Sequence, residues 1–117
     1  MPCKIQSLYI CVRDMERAIR FYGALFDQKV SLKDEIYSVF DLEGFRFGLF
    51  AFEKKKEAHQ YGNSCLPSIE FESVNLLQEK LIDKTITFPL TKIGKNMVVE
   101  ILDSEGNTLE LYAPWEH

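Results

Sequence analysis

The chain has 117 residues, 46% hydrophobic and 27% charged, with a formal net charge of -4 and a pI near 5.2. That length supports one domain with its own core, without disulfide or metal staples. The acidic balance excludes a phosphate-backbone partner, which needs a clustered basic face, and no apolar run approaches the roughly 18 residues of a membrane span.

Ile5 to Val12 reads as a strand, with Leu8, Ile10 and Val12 on one side and Ser7, Tyr9 and Cys11 on the other. Asp14 then caps a helix whose apolar positions Met15, Ala18, Ile19, Tyr22, Leu25 and Phe26 recur at three- and four-residue spacing. Three strands are expected next, at Lys29–Lys33, Tyr37–Leu42 and Phe45–Phe52, joined by turns at Asp34-Glu35 and Glu43-Gly44. Lys54 to Ser64 is polar, aperiodic and carries Gly62-Asn63, so it reads as a linker. Its Lys54-Lys55-Lys56 run, followed by Glu57, reads as a solvated loop rather than a binding patch.

The second half replays the first. Leu66 to Glu72 alternates as a strand, Asn75 can cap, and Leu76 to Ile82 gives a shorter helix ending near Asp83-Lys84. Strands are expected at Ile86–Leu90, Met97–Leu102 and Asn107–Tyr112, with Pro89 marking an edge strand or a bulge. The duplication is explicit in two stretches 62 residues apart. Asp41-Leu42-Glu43-Gly44-Phe45-Arg46-Phe47-Gly48-Leu49-Phe50-Ala51 matches Asp103-Ser104-Glu105-Gly106-Asn107-Thr108-Leu109-Glu110-Leu111-Tyr112-Ala113 at five of eleven positions. Each copy reads as a strand end, a turn and a strand, with Gly44 and Gly106 supplying the positive φ of a hairpin. The large chemical difference is Gly48 against Glu110. Neither half could bury its sheet face alone.

The order strand, helix, three strands, twice over, resembles the vicinal oxygen chelate superfamily, which includes glyoxalase I, extradiol dioxygenases and the fosfomycin- and bleomycin-resistance proteins. The resemblance is carried by Leu8-Tyr9-Ile10-Cys11-Val12-Arg13-Asp14, by Phe21-Tyr22, and by the closing Asp103 to Leu111 motif. It implies an α+β fold in which two tandem βαβββ modules form a curved, half-open barrel around a cleft. The single domain 1–117 then divides into module 1 at about 4–53, a linker at 54–65 and module 2 at about 66–114. It also implies divalent-metal slots early in each first strand and late in each last strand. Those slots fall on Ser7, Gly48, Ser68 and Glu110, where the metalloenzymes carry His, Glu or Gln. A metal that activates water or polarises an oxygen needs about three protein ligands. Glu110 alone could bind one strongly, and the only histidines are His59, in the linker, and His117, at the end. No cofactor is therefore expected.

Strand parity places Tyr9 and Cys11 beside Ser7, Glu70 and Glu72 beside Ser68, Tyr112 beside Glu110, and Glu100 on the same side, with Glu72 solvated at the rim. Phe50 and Phe52 add aromatic walls on the face of Gly48, whereas Phe45, Phe47 and Leu49 belong under the helices. Glu110 is equally readable as a structural carboxylate. Cys11 reads as a quiet thiol, because no histidine or same-face cation is near enough to activate it. No Ser-His-Asp set and no phosphate-binding glycine loop is present.

The expected ligand-binding residues are Ser7, Tyr9, Cys11, Gly48, Phe50, Ser68, Glu70, Glu100, Glu110 and Tyr112. Together they make an aromatic and acidic cleft for a planar or cationic organic molecule. The expectation is a metal-free binding protein, non-enzymatic and similar to the antibiotic-sequestering branch, whose members are dimers. A homodimer is expected, with no nucleic-acid or membrane partner. A glyoxalase- or lyase-type metalloenzyme with divergent ligands, or a ligand-sensing regulatory module, is the alternative. Arg46 shares the parity of Gly48 and can reach inward. No basic-then-apolar leader is legible before Cys3, and Cys3, Cys11 and Cys65 are an odd number without metal-ligand spacing, so a cytoplasmic protein is expected.

Overall fold

A computed structural model describes residues 5–55 and 65–115. The chain divides into two compact units, the first to residue 61 and the second from residue 62. Most of the expected linker, together with Cys3, His59 and His117, lies outside the described residues. Among the described residues no helix is long and apolar enough to cross a membrane.

Unit 1 holds β1 (Ser7–Cys11), α1 (Met15–Phe26), β2 (Tyr37–Leu42), β3 (Phe45–Phe50) and a 3-10 turn at Phe52–Lys55. β3 lies in the middle, parallel to β1 and antiparallel to β2. α1 starts where the Asp14 side chain accepts the Arg17 amide at 3.0 Å. Its stripe Met15, Ala18, Tyr22 and Leu25 is buried. The helix meets the sheet through aromatic rings: Tyr22 lies 4.9 Å from Phe47, and Phe26 lies 5.5 Å from both Phe40 and Phe47, centroid to centroid. Phe47 is the hub, and truncating it to alanine should cost about 3–5 kcal/mol.

The expected strand at Lys29–Lys33 shrinks to a single bridge between Leu32 and Val39. Side chains take the bonds a longer strand would have made: Ser31 Oγ accepts the Asp41 amide at 2.8 Å, and Asp34 Oδ2 accepts the Ile36 and Tyr37 amides. Phe52 is not an exposed wall either. It opens the 3-10 turn and is buried.

Unit 2 holds β4 (Ser68–Glu70), α2 (Val74–Lys80), β5 (Thr85–Ile93), β6 (Asn96–Leu102) and β7 (Thr108–Pro114), in the sheet order β4-β7-β6-β5. The cap of α2 is Ser73, two residues before the expected Asn75. Ser73 has extended backbone and its Oγ accepts the Leu76 amide at 3.1 Å, so Asn75 already lies inside the helix. Leu77 of α2 is buried, as are Val99, Ile101, Leu109, Leu111 and Ala113 on the corresponding side of the sheet. β5 is the edge strand, longer than expected, and its pairing with β6 shifts register on either side of Phe88, immediately before Pro89. A proline has no amide to give the ladder, so it sits where pairing is already interrupted.

The two similar hairpins close differently. β2 and β3 are joined by Glu43 and Gly44 alone, both at positive φ, +54° and +95°, as a two-residue primed turn requires. Between β6 and β7 only Gly106 is at positive φ (+89°), and Asp103 organises a longer loop: its Oδ1 accepts the Glu105 and Asn107 amides, each at 2.8 Å. That one-residue difference in closure sets which β6 side chains share a side with β7.

Candidate ligand-binding faces

In each sheet one side carries the helix and the other does not. In unit 1 the helix-free face is a grid of three cross-strand rows: Ser7, Arg46 and Asp41; Tyr9, Gly48 and Val39; Cys11, Phe50 and Tyr37. Gly48 is its centre. A Cβ added there would stand 2.9 Å from Tyr9 Cδ1 and 3.0 Å from both Cε1 and Oη of Tyr37. The missing side chain is what lets the two tyrosines meet, centroids 4.9 Å apart and planes at 71°, an edge-to-face pair. Tyr37 thus leans from its own row over Gly48. Burial, a hydrogen bond to Tyr9 and the neighbouring Tyr9 charge push the Tyr37 phenol up to about 12, while the Arg46 charge opposes the rise. Tyr9 remains 58% exposed. Burial also pushes the Cys11 thiol up, which disfavours the nucleophilic thiolate.

In unit 2 the corresponding rows are Ser68, Glu110, Glu100 and Phe88, then Glu70, Tyr112 and Val98. Ser68 Oγ donates to Glu110 Oε1 at 2.5 Å, a short charge-assisted bond that fixes the carboxylate. On its other flank Glu110 is directly opposed by Glu100. Two carboxylates side by side on a sheet repel one another, and the repulsion is relieved by any cation placed between them. Ser68 and Glu70 are exposed, Glu100, Glu110 and Tyr112 half-buried.

The ten residues expected from sequence thus fall five on each helix-free face. Within unit 1 the two slot positions are not cross-strand partners: Ser7 stands opposite Arg46, and Tyr9 stands opposite Gly48. Tyr37 escaped the sequence reading. The signal was available, because a two-residue turn at Glu43-Gly44 pairs Tyr37 with Phe50 by counting back from the turn. A surface depression of about 660 Å³ lies elsewhere in unit 1, between the first turn of α1 and Lys33–Glu35. It is crossed by a 3.0 Å ion pair between Lys33 and Glu16, both well solvated, and its charged walls share none of the expected residues.

These donor sets do not fit a metal centre of the kind the resemblance implies. The Gly48 position offers no ligand atom and its space is taken by two phenol rings, while Glu110 has one oxygen committed to a serine hydroxyl. Among the described residues no group of three or more His, Cys, Asp or Glu side chains is arranged to hold an ion.

Two helix-bearing sheets with one bare face each define an α+β fold of the glyoxalase type, and comparison with solved structures shows the same. A glyoxalase/bleomycin resistance protein/dioxygenase family enzyme from Burkholderia phytofirmans PsJN superposes with a TM-score of 0.78 at 15% identity, over 97% of this chain and 100% of that one. A lactoylglutathione lyase from Agrobacterium tumefaciens gives 0.76 at 17% identity, over 97% and 95%. A glyoxalase-related enzyme from Fulvimarina pelagi gives 0.76 at 14% identity, over 94% and 87%. No curated protein matches the sequence. The profile of the Glyoxalase/Bleomycin resistance protein/Dioxygenase superfamily matches residues 4–111, and the chain belongs to that superfamily.

Proposed function

We propose that this chain is a metal-independent, small-molecule-binding member of the superfamily that sequesters a planar or cationic organic ligand. The observation that carries the reading is the opposition of Glu100 and Glu110, with Ser68 holding Glu110 in place. A cationic group set against that pair relieves a standing repulsion and gains charge-assisted hydrogen bonds, each contributing about 1.5–3 kcal/mol. Tyr112 in the next row offers a ring for a cation or a planar partner. The proposed protein is non-enzymatic, cytoplasmic and a homodimer.

The test is a thermal-shift screen of matched cationic and anionic aromatics at low and high salt, followed by calorimetry on Glu110→Gln. Cationic compounds should stabilise the wild type, less so at high salt, and Glu110→Gln should lose tenfold or more in affinity. Stabilisation by anions alone overturns the charge preference. Tight one-to-one metal by elemental analysis, lost in Glu110→Ala, overturns metal independence and restores the lyase reading. A monomer by light scattering at micromolar concentration rejects the dimer.

A further inference from the structure

We infer that the helix-free face of unit 1 carries a second recognition site, for the carboxylate of a planar aromatic acid, in which Arg46 and the Tyr37 hydroxyl hold the anion and the exposed ring of Tyr9 receives the aromatic plane. The inference rests on the small-molecule reading above and is independent of its acidic face.

Geometry on three adjacent strands supports it. Arg46 and Gly48 are two residues apart on β3 and point to the same side, about 7 Å along the strand. The Tyr37 hydroxyl sits over Gly48, a separation within the length of an extended arginine side chain. The charge of Arg46 is felt at Tyr37, where it favours the phenolate. Asp41 is the cross-strand partner of Arg46 and the obvious competitor for it. Its Oδ1, however, accepts the Gly44 amide at 2.8 Å and so helps close the turn. Arg46 is exposed, and among the described residues it forms no ion pair.

The phenols add direction. Burial and Tyr9 keep the Tyr37 phenol protonated, and its hydroxyl hydrogen can turn from Tyr9 to a carboxylate, the stronger acceptor. A guanidinium and a phenolic O–H on one side of the same sheet suit a carboxylate, which accepts from both. Tyr9 is already held edge-on by Tyr37 and exposes 58% of its surface, so an incoming ring stacks on a platform whose own freedom is spent. Gly48 is the specificity element, since any larger residue would part the two rings.

The probes are benzoate, neutral benzyl alcohol and benzylammonium, titrated into the nitrogen-15-labelled full chain at pH 7.5. Benzoate is expected to shift the Gly48 amide and the Arg46 Nε–H resonance. Arg46→Gln should weaken benzoate at least tenfold while leaving benzyl alcohol unchanged, and Tyr37→Phe should weaken it several-fold. Arg46 is exposed and Tyr37→Phe keeps the ring, so both variants should retain the fold, checked by their amide spectra. The inference is overturned by benzoate leaving Gly48 unperturbed, or by equal benzoate affinity in wild type and Arg46→Gln. Failure of benzylammonium to bind, with benzoate still sensitive to Arg46, removes the acidic-face reading and upholds this one.

Discussion

Glu100 and Glu110 face each other directly across β6 and β7 because the second hairpin closes with one residue more than the first. In unit 1 the residue opposite Gly48 is Val39, and the same closure in unit 2 would have put Ile101 opposite Glu110. The longer loop around Asp103 turns β6 over by one position, burying Ile101 on the helix side and bringing a second carboxylate beside the first.

A like-charge pair held by register is a stability liability that neutralisation should lift. Glu100→Gln is expected to raise the unfolding free energy by about 0.2–1 kcal/mol at low salt. The gain should shrink at high salt as screening removes the repulsion. Urea melts at two ionic strengths measure it. Destabilisation by Glu100→Gln would show that repulsion between the two carboxylates does not limit stability.

Gly48→Ala tests whether the bare backbone at the centre of unit 1 is needed. The added methyl meets both tyrosine rings at about 3 Å, and overpacking of this kind costs roughly 1–3 kcal/mol. In a Tyr9→Ala background the same change should become neutral or stabilising, since alanine has less backbone freedom to lose than glycine. A double-mutant cycle by chemical denaturation reads the coupling, and additive effects would mean that the rings yield without cost.

How far the sequence could be read depended on the physics of each element. α1 was legible because Asp14 and a three-and-four spacing are local signals, and the helix-free faces were legible because strand parity survives errors of a residue or two at strand ends. The Lys29–Lys33 strand was misread because its competitor is a set of side-chain bonds from Ser31 and Asp34, which leave no mark on hydrophobic period. Glu100 was placed on the same side as Glu110 by parity, yet its position directly opposite Glu110 depends on turn geometry that two motifs sharing Asp-x-Glu-Gly do not distinguish. Tyr37 was missed for lack of that same counting.

The start of α2 offers a direct check on one correction. Ser73→Ala should remove the side chain that accepts the Leu76 amide and cost about 1 kcal/mol, whereas Asn75→Ala, an exposed position within the first turn, should be neutral or slightly favourable. Thermal melts of the two single variants decide it. The reverse ranking would restore Asn75 as the cap.

The tyrosine pair predicts an alkaline transition that belongs to one residue. The Tyr37 phenol is raised from its ordinary value of 10.0 to about 12, chiefly by burial and then by Tyr9. Below pH 10 Tyr37 is protonated in both folded and unfolded chains and contributes no pH dependence. Between pH 10 and about 12 the unfolded chain has released that proton while the folded chain keeps it, so the folded state binds more protons and stability falls as pH rises. In Tyr37→Phe that part of the slope should vanish, leaving the contribution of the other ionisable groups. The measurement is urea denaturation in steps from pH 9 to 12, with phenolate absorbance near 295 nm followed on the folded protein. One tyrosine should titrate late in the wild type and be missing from the variant. An unchanged slope in Tyr37→Phe would show that the Tyr37 hydroxyl is not held over Gly48 in solution, and with it would go the geometry on which the carboxylate site depends.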